Sequence, residues 1–241
     1  MSKIPRTAGS TLPSRSLLTL PRRSLNSLRS RGLKPTVRYV RAYADDALFD
    51  LRYGVRTDRW VEVGDLEVVG DNKDLAGSYQ PIKVLAFRSA IDFFQIPSEG
   101  VFVDYGSGKG RVLMLAGLYG FHRTVGIEFA LNLCQEAEAN LDKFRARTSK
   151  DFESCIVNVD AACYPVNDDE CVFFFYNPFK SKLLEKVLSN IRLSLQSKPR
   201  LIHIVYANPI HRQVLDDDPF WRLVAETTSG GLDTFLYYQP R

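Results

Sequence analysis

The sequence predicts an α/β fold in which a mostly parallel sheet is covered by helices on both faces. From about residue 99 onward, short apolar segments typical of buried strands alternate with amphipathic segments typical of helices. A glycine-rich turn joins the first of these strands to its helix. Near the C-terminus, two strand-like segments flank Ser229-Gly230-Gly231. That turn predicts a hairpin whose last strand runs antiparallel to the rest of the sheet.

The first 44 residues differ in charge from the rest of the chain. The formal net charge over 241 residues is +4. Residues 1–44 carry ten Lys or Arg and no acid, which leaves 22 basic and 28 acidic residues, or −6, for residues 45–241. Up to about Arg31 the composition of Ser, Arg, Pro and Leu offers too little apolar surface to offset the entropy of ordering. We therefore interpret residues 1–34 as a basic flexible arm.

Composition also disfavours several classes of protein. No run of about 18 apolar residues occurs, so we expect neither a membrane span nor a membrane partner. The opening segment MSKIPRTAGSTLPSRS lacks the apolar stretch of a secretory signal, and a cytoplasmic location is expected. An organellar presequence is the alternative, because the arm is rich in Arg and Ser. Four cysteines without CxxC spacing or His partners predict neither a metal site nor a disulfide framework.

The segment between the arm and the first strand predicts a helical and irregular cap, residues 35–98. A helix over 35–51 is predicted by four residues spaced four apart, Tyr39, Tyr43, Ala47 and Leu51. The charged, turn-rich stretch 54–77 predicts irregular structure with one short strand or turn. Pro81 suits the first turn of a second helix, which ends at or before Pro97.

The remaining elements form one domain over residues 99–241. The expected order is strand VFVDY, helix GRVLMLAGLY, strand RTVGIEF, helix ALNLCQEAEANLDKFRAR, strands SCIVNVD and ECVFFFYN, helix KSKLLEKVLSNIRLSL and strand RLIHIVYAN. The hairpin of FWRLVAETTS and LDTFLYYQ follows. Within this domain, Arg111 at a helix start requires an acidic partner or solvent screening. His203, centred in LIHIV, is expected in the core or the cleft rather than as a base.

The sharpest signal is VFVDYGSGKGR at residues 101–111. Gly106, Gly108 and Gly110 stand at alternate positions directly after a strand and before a helix. Glycine lets the chain turn sharply there and lets the backbone approach a ligand where a Cβ would clash. The spacing differs from the GxGxxG of dinucleotide enzymes, so no pyrophosphate is expected. A tight strand-to-helix connection without a ligand is the alternative.

Two carboxylates indicate the chemistry of the ligand. Glu128 ends the second strand, where a carboxylate can accept hydrogen bonds from both hydroxyls of a ribose. Asp104 directly precedes the loop and would repel a pyrophosphate but attract an ammonium group. The sequence therefore predicts a nucleoside cofactor with a cationic tail.

These motifs resemble, in order, those of class I S-adenosylmethionine-dependent methyltransferases. The resemblance rests on DYGSGKG at 104–110, Glu128 in VGIE, Asp160 in VNVDA and NPF at 177–179, and it covers roughly residues 77–238. FDLRYGVRTD and GSYQP are similar to a group of bacterial methyltransferases of unassigned substrate and, more distantly, to DOT1-type lysine methyltransferases. The resemblance implies a Rossmann-like sheet of seven strands whose C-terminal strand is antiparallel.

The resemblance also implies how S-adenosylmethionine would be bound. The methionine portion would lie in a cradle formed by Asp104, Tyr105, Gly106, Ser107, Gly108 and Gly110, with Asp104 near the amino group. Glu128 would bind the ribose hydroxyls. Asp160 would accept from the adenine amine, and Ala161 would donate through its backbone. Asn177 would lie beside the sulfonium. Tyr79 and Gln80 stand where relatives fold an upstream loop over the cofactor, although an ordinary turn before a helix explains them equally.

Methyl transfer is an in-line displacement, so its catalytic residues are mainly positioners. Asn177, Pro178 and Phe179 follow an almost wholly aromatic strand and would align an amine acceptor, with Tyr79 as a further candidate. In amine-methylating relatives a second Pro is usual in this motif, and its absence here weighs against a nucleobase acceptor. A purely structural alternative makes Asn177 the N-cap of the following helix.

The function expected is transfer of a methyl group from S-adenosylmethionine to an amine, such as one on a protein side chain. A protein or small-molecule acceptor is favoured. A nucleic-acid N-methyltransferase is one alternative, since the arm could contact phosphates, but the acidic body weighs against it. A cofactor-binding regulator without turnover is another. A nicotinamide oxidoreductase does not agree with the glycine spacing.

Overall fold

The computed structural model describes residues 33–58, 60–61, 66–67, 79–229 and 232–241. Nearly all of the expected arm lies outside the described residues, as does most of the stretch 54–77. Gly230 and Gly231 of the expected hairpin turn also lie outside them.

The described part of the chain alternates strands and helices in the expected order. Two helices come first, α1 (Leu33–Tyr53) and α2 (Val84–Phe94). The elements that follow are β1 (Val101–Tyr105), α3 (Arg111–Tyr119), β2 (Arg123–Glu128), α4 (Leu131–Arg145), β3 (Glu153–Asn158), β4 (Glu170–Tyr176), α5 (Ser181–Ser197), β5 (His203–Ala207), α6 (Gln213–Asp216), β6 (Trp221–Ser229) and β7 (Asp233–Pro240). A short 3-10 turn, Ala161–Cys163, lies between β3 and β4.

The strands form one sheet in the order β3-β2-β1-β4-β5-β7-β6. Strands β1 to β5 all run parallel to one another. Strand β7 pairs antiparallel with both β5 and β6. The expected seven-stranded, mostly parallel sheet with an antiparallel C-terminal strand is therefore confirmed.

The two faces of the sheet bury separate apolar clusters. Successive side chains of a strand point to opposite faces, so Phe102 and Phe174 belong to one cluster with residues of α1, α2, α3 and α4. Val103 and Phe173 belong to the other, with residues of α5. Because both faces are covered, the strands are continuously apolar rather than alternating, which is the pattern seen in the sequence.

The cap helices differ from their expected bounds. The first helix extends two residues beyond each end of the expected 35–51. The second begins at Val84 rather than at Pro81, and the buried carboxylate of Asp46 on α1 accepts a hydrogen bond from the Val84 amide at 2.9 Å. A first-turn amide that has no partner within its own helix is thereby satisfied by tertiary contact. No described helix is both long and apolar enough to cross a membrane.

The strand order reverses between β1 and β4, which lie side by side although they are not consecutive in the chain. Connections leave these two strands in opposite directions, so a crevice opens at their carboxyl ends. The glycine-rich turn and the Asn177 segment follow these two ends.

Candidate functional site

A cleft of about 310 Å³ lies at the carboxyl ends of the central strands. Its lining includes nine residues that the sequence analysis selected, Tyr79, Gln80, Gly106, Glu128, Asp160, Ala161, Asn177, Pro178 and Phe179. The structure thus brings together segments up to a hundred residues apart in the chain. The other selected residues, Asp104, Tyr105, Ser107, Gly108 and Gly110, do not line the cleft.

The glycine loop is bent into a conformation that side chains disfavour. Gly106, Gly108 and Gly110 have φ of 77°, 52° and 80°. A Cβ on Gly106 would lie 2.6 Å from the Cβ of Pro178, and one on Gly108 would lie 2.1 Å from the ring of Tyr79. Two of the glycines are therefore required by close contact with the protein's own candidate site residues, as well as by the turn.

Glu128 connects the glycine loop to the end of β2. Its Oε2 accepts from the Gly108 amide at 2.9 Å and its Oε1 accepts from the Ala130 amide at 3.0 Å. Burial raises the pKa of Glu128, and these backbone hydrogen bonds oppose the shift. Each carboxylate oxygen has a second lone pair, so the group can still accept from a diol in the cleft that it lines.

Asp104 lies at the end of β1, beneath the loop, and is 2% exposed. Burial and the negative charge of Glu128 raise its pKa well above the ordinary aspartate value. Two carboxylates are thus held close together without a cation between them in the described residues. No Lys or Arg lines the cleft among the described residues, whereas Glu128 and Asp160 do. This charge distribution favours a cationic ligand.

Tyr105 and Ser107 place their side chains away from the cleft. The Tyr105 ring is stacked on Phe175, with 5.1 Å between ring centroids. The Ser107 hydroxyl faces β2, where a Cβ on Gly126 would lie 2.6 Å from it. Neither side chain is therefore positioned for contact with a ligand in the cleft.

Asp160 and Ala161 form another wall of the cleft. The Asp160 Oδ1 accepts from the Ala162 amide at 2.9 Å, which caps the 3-10 turn. The Val159 amide donates to the Glu128 carbonyl at 3.1 Å and holds this segment against β2. The arrangement places a carboxylate and a backbone amide next to each other at the cleft edge.

Asn177 occupies the carboxyl end of β4 in a left-handed conformation, with φ of 42°. Its Oδ1 accepts from the Tyr206 hydroxyl at 3.4 Å, and that hydroxyl accepts from the His211 amide at 3.3 Å. Helix α5 begins at Ser181 and its N-cap is Lys180. The alternative that Asn177 caps this helix is therefore wrong, because the helix begins too far along the chain.

Two expectations outside the cleft are confirmed. Arg111 is 2% exposed and has the acidic partners that its position required, since it lies 3.2 Å from Asp46 and 3.5 Å from Asp50. His203 is buried, with its Nδ1 2.6 Å from the Tyr237 hydroxyl, and burial lowers its pKa. His203 does not line the cleft.

Sequence reasoning missed several residues of the cleft wall, namely Trp60, Leu66, Phe129, Leu133, Val159, Tyr176, Leu183 and Ile210. Trp60 lies in a stretch without periodicity, so no local pattern indicates its position. Ile210 is 61% exposed and Trp60 is 56% exposed. Large apolar side chains with this exposure at the cleft are consistent with contact to an acceptor.

Comparison with known proteins finds a family model that matches part of the chain. The model of the family described as histone methylation protein DOT1 matches residues 79–153, which include Tyr79, the glycine loop and Glu128. No curated protein matches the chain.

Two solved structures share the fold. A SAM-dependent methyltransferase from Aquifex aeolicus is 13% identical, with a TM-score of 0.52, over 66% of this chain and 92% of that one. The glycopeptide N-methyltransferase MtfA, complexed with S-adenosylmethionine, is 11% identical, with a TM-score of 0.51, over 65% and 93% of the two chains. Residues 79–153 are thus similar to the DOT1 family, and the chain shares its fold with these two methyltransferases.

Proposed function

We propose that the cleft binds S-adenosylmethionine and transfers its methyl group to an amine. The observation that carries this proposal is the convergence on one cleft of Gly106 from the glycine loop with Glu128, Asp160 and Asn177. The resemblance described above implies that each of these residues contacts or lies beside a different part of the same cofactor. The two structural relatives and the DOT1 match support the proposal.

The cleft residues would hold the cofactor in a defined direction. Glu128 would accept from the ribose hydroxyls through the lone pairs that its backbone hydrogen bonds leave unused. Asp160 and the Ala161 amide would bind the adenine edge. Asp104, buried beside Glu128, would attract the amino group of the methionine portion. Gly106, the loop glycine that lines the cleft, would let this portion approach the backbone, while Gly108 and Gly110 permit the bend of the loop.

The Asn177 end of the cleft would align the acceptor. When bound, S-adenosylmethionine supplies a methyl group on a sulfonium, so that a C–N bond forms as the C–S bond breaks and the acceptor nitrogen loses a proton. The Asn177 carbonyl, anchored by Tyr206, can accept from an amine N–H and orient its lone pair. Phe179 and Trp60 line the same cleft and would pack against the acceptor, while Tyr79 and Gln80 would cover the cofactor.

A protein or small-molecule amine is the acceptor that the charge of the site favours. No basic residue lines the cleft among the described residues, so nothing there is suited to hold a phosphate backbone. In this proposal residues 99–241 form the catalytic domain, residues 35–98 its cap, and residues 1–34 a separable basic arm. In this proposal, any contact with nucleic acid would be made by that arm.

Two measurements test the proposal. Calorimetry of the full chain should detect binding of S-adenosylmethionine, and incubation with a methyl-labelled cofactor and fractionated lysate should transfer label to protein or small molecules. Asn177→Ala should retain cofactor binding but lose most of the transfer. Label in RNA would show the nucleic-acid alternative to be correct. Binding without transfer to any fraction would indicate a regulator, and absence of binding would refute the proposal.

A further inference from the structure

The guanidinium of Arg111 lies at the centre of a buried polar cluster between the cap and the glycine loop. It contacts Asp46 and Asp50 on α1, and its Nη1 donates to the Ile82 carbonyl at 2.9 Å. Its Nε donates to the Thr57 hydroxyl at 2.6 Å. Arg111 is the first residue of α3, directly after Gly110, so the cluster is anchored at the end of the loop.

Thr57 links the two charged partners of this cluster, Asp50 and Arg111, through hydrogen bonds. Its amide and its hydroxyl donate to the two carboxylate oxygens of Asp50, at 2.8 and 2.7 Å. The residue is 0% exposed, and it therefore has no alternative partners in solvent. Three hydrogen bonds, two donated and one accepted from Arg111, thus fix both the side chain and the backbone orientation of Thr57.

From Thr57 the contacts continue to the glycine loop. The Thr57 carbonyl accepts from the Tyr79 hydroxyl at 2.9 Å. The Tyr79 ring covers Gly108 so closely that a Cβ there would lie 2.1 Å from the ring. On its other side, Gly108 donates its amide to Glu128. Burial raises the pKa of Tyr79, so its hydroxyl stays a donor throughout the neutral range.

We propose that Thr57 is a positioning residue for the cofactor site, acting through Tyr79. Arg111 and Asp50 orient Thr57, the Thr57 carbonyl fixes the Tyr79 ring, and the ring presses Gly108 towards the carboxylate of Glu128. The inference rests on the proposed function, because the loop that Thr57 positions is the proposed cradle of S-adenosylmethionine. It gives the cap a direct part in cofactor binding.

A purely structural role would be attachment of the cap to the domain. A second link of that kind exists, since the Asn140 side chain accepts from the Arg56 amide at 2.9 Å and donates to the Lys109 carbonyl at 3.1 Å. If Thr57 served only to attach the cap, loss of any buried hydrogen bond of the protein would have the same effect as loss of those at Thr57. Positioning would be weakened only by changes along the path from Thr57 to Gly108, and this difference allows a test.

The test uses two conservative variants of the full chain. Thr57→Val keeps the shape but removes the hydroxyl that Arg111 and Asp50 share, and Tyr79→Phe keeps the ring but removes its anchor on Thr57. Each should raise the Kd for S-adenosylmethionine about three- to tenfold, because each weakens the one contact, Tyr79 hydroxyl to Thr57 carbonyl, that links the cluster to the loop. In the double variant the Kd should rise by less than the product of the two single increases, because both substitutions act on one contact path. Thr57→Ser should restore wild-type affinity.

Two matched controls separate positioning from general loss of stability. Thr124 is a fully buried threonine that donates to Ser154 at 2.9 Å, and Tyr237 is a buried tyrosine bonded to His203. Neither lines the cleft. Thr124→Val and Tyr237→Phe should lower the denaturation midpoint and leave the Kd unchanged. Amide hydrogen exchange over residues 106–110, without cofactor, should be faster in Thr57→Val than in Thr124→Val.

The outcomes are separable. If the wild type binds S-adenosylmethionine and the variants at Thr57 and Tyr79 bind it equally well, the inference is overturned and the proposed function stands. If the controls lose as much affinity as these variants, the role of Thr57 is attachment and the inference is again overturned. If the wild type does not bind the cofactor, the proposed function fails and the inference fails with it.

Discussion

The sharpest test of the site is Glu128→Gln, which changes one oxygen to an NH2 group with almost no change in shape. Both carboxylate oxygens accept backbone hydrogen bonds, from Gly108 at 2.9 Å and from Ala130 at 3.0 Å. An amide side chain has only one acceptor oxygen, so its NH2 group must face one of the two backbone N–H groups. One buried donor is then left unsatisfied, which costs about 1–3 kcal/mol.

The free energy of unfolding in urea should therefore fall by about 1–3 kcal/mol in Glu128→Gln. The Kd for S-adenosylmethionine should rise about 5- to 30-fold, because the same group would accept from the ribose and orient the Gly108 end of the loop, worth about 1–2 kcal/mol. Chemical denaturation and calorimetry on one preparation give both values. Equal stability and equal affinity in the variant would show that the carboxylate has neither role.

Glu170→Gln is the matched control. Glu170 is 1% exposed and also accepts hydrogen bonds with both oxygens, including one from the Asn167 amide at 3.1 Å. It begins β4, at the opposite end of the strand from Asn177. The variant should lose comparable stability and keep the cofactor affinity of the wild type. Loss of affinity in both variants would mean that the effect of Glu128→Gln is not local.

Three further results are expected. Gly106→Ala should weaken cofactor binding and cost about 1–2 kcal/mol in denaturation, since φ is 77° and the new Cβ would meet Pro178 at 2.6 Å; an unchanged Kd would contradict the loop geometry. Cofactor affinity should rise with pH as Asp104 ionises, because a bound ammonium favours the ionised carboxylate. The rise should occur above the ordinary aspartate range, since the pKa of Asp104 is raised. Calorimetry across pH should show a smaller dependence in Asp104→Asn than in the wild type, because Glu128, whose pKa is also raised, still titrates in the variant. Removal of residues 1–32 should change the Kd less than twofold, and lost binding would show that the arm belongs to the site.

The fold was predictable because its signals are local in the sequence. Continuous apolar strands such as VFFFY can only be buried on both faces, and parallel strands require helical crossovers. The glycine loop was predictable for the same reason, since three glycines at alternate positions permit the φ values that the turn requires. Arg111 at a helix start indicated an acidic partner but did not identify it.

The bounds of elements were less well determined. The second cap helix begins three residues after Pro81, because its first amide is satisfied by Asp46 from another helix rather than by a local cap. The capping role considered for Asn177 was wrong for a related reason. A left-handed turn after β4 delays the start of α5 to Ser181, and no local pattern reveals that conformation in advance.

The order of strands and helices, the glycine turn and the residue types at the strand ends follow from local patterns, because they depend on periodicity and on the conformational freedom of single residues. What these residues contact is fixed only once the chain is folded. Asp50, Thr57 and Tyr79 meet Gly108 and Arg111 across some 30 to 60 positions of chain, and Glu128 accepts from the very loop it follows. Such contacts depend on how distant segments pack in three dimensions, and no local pattern records them.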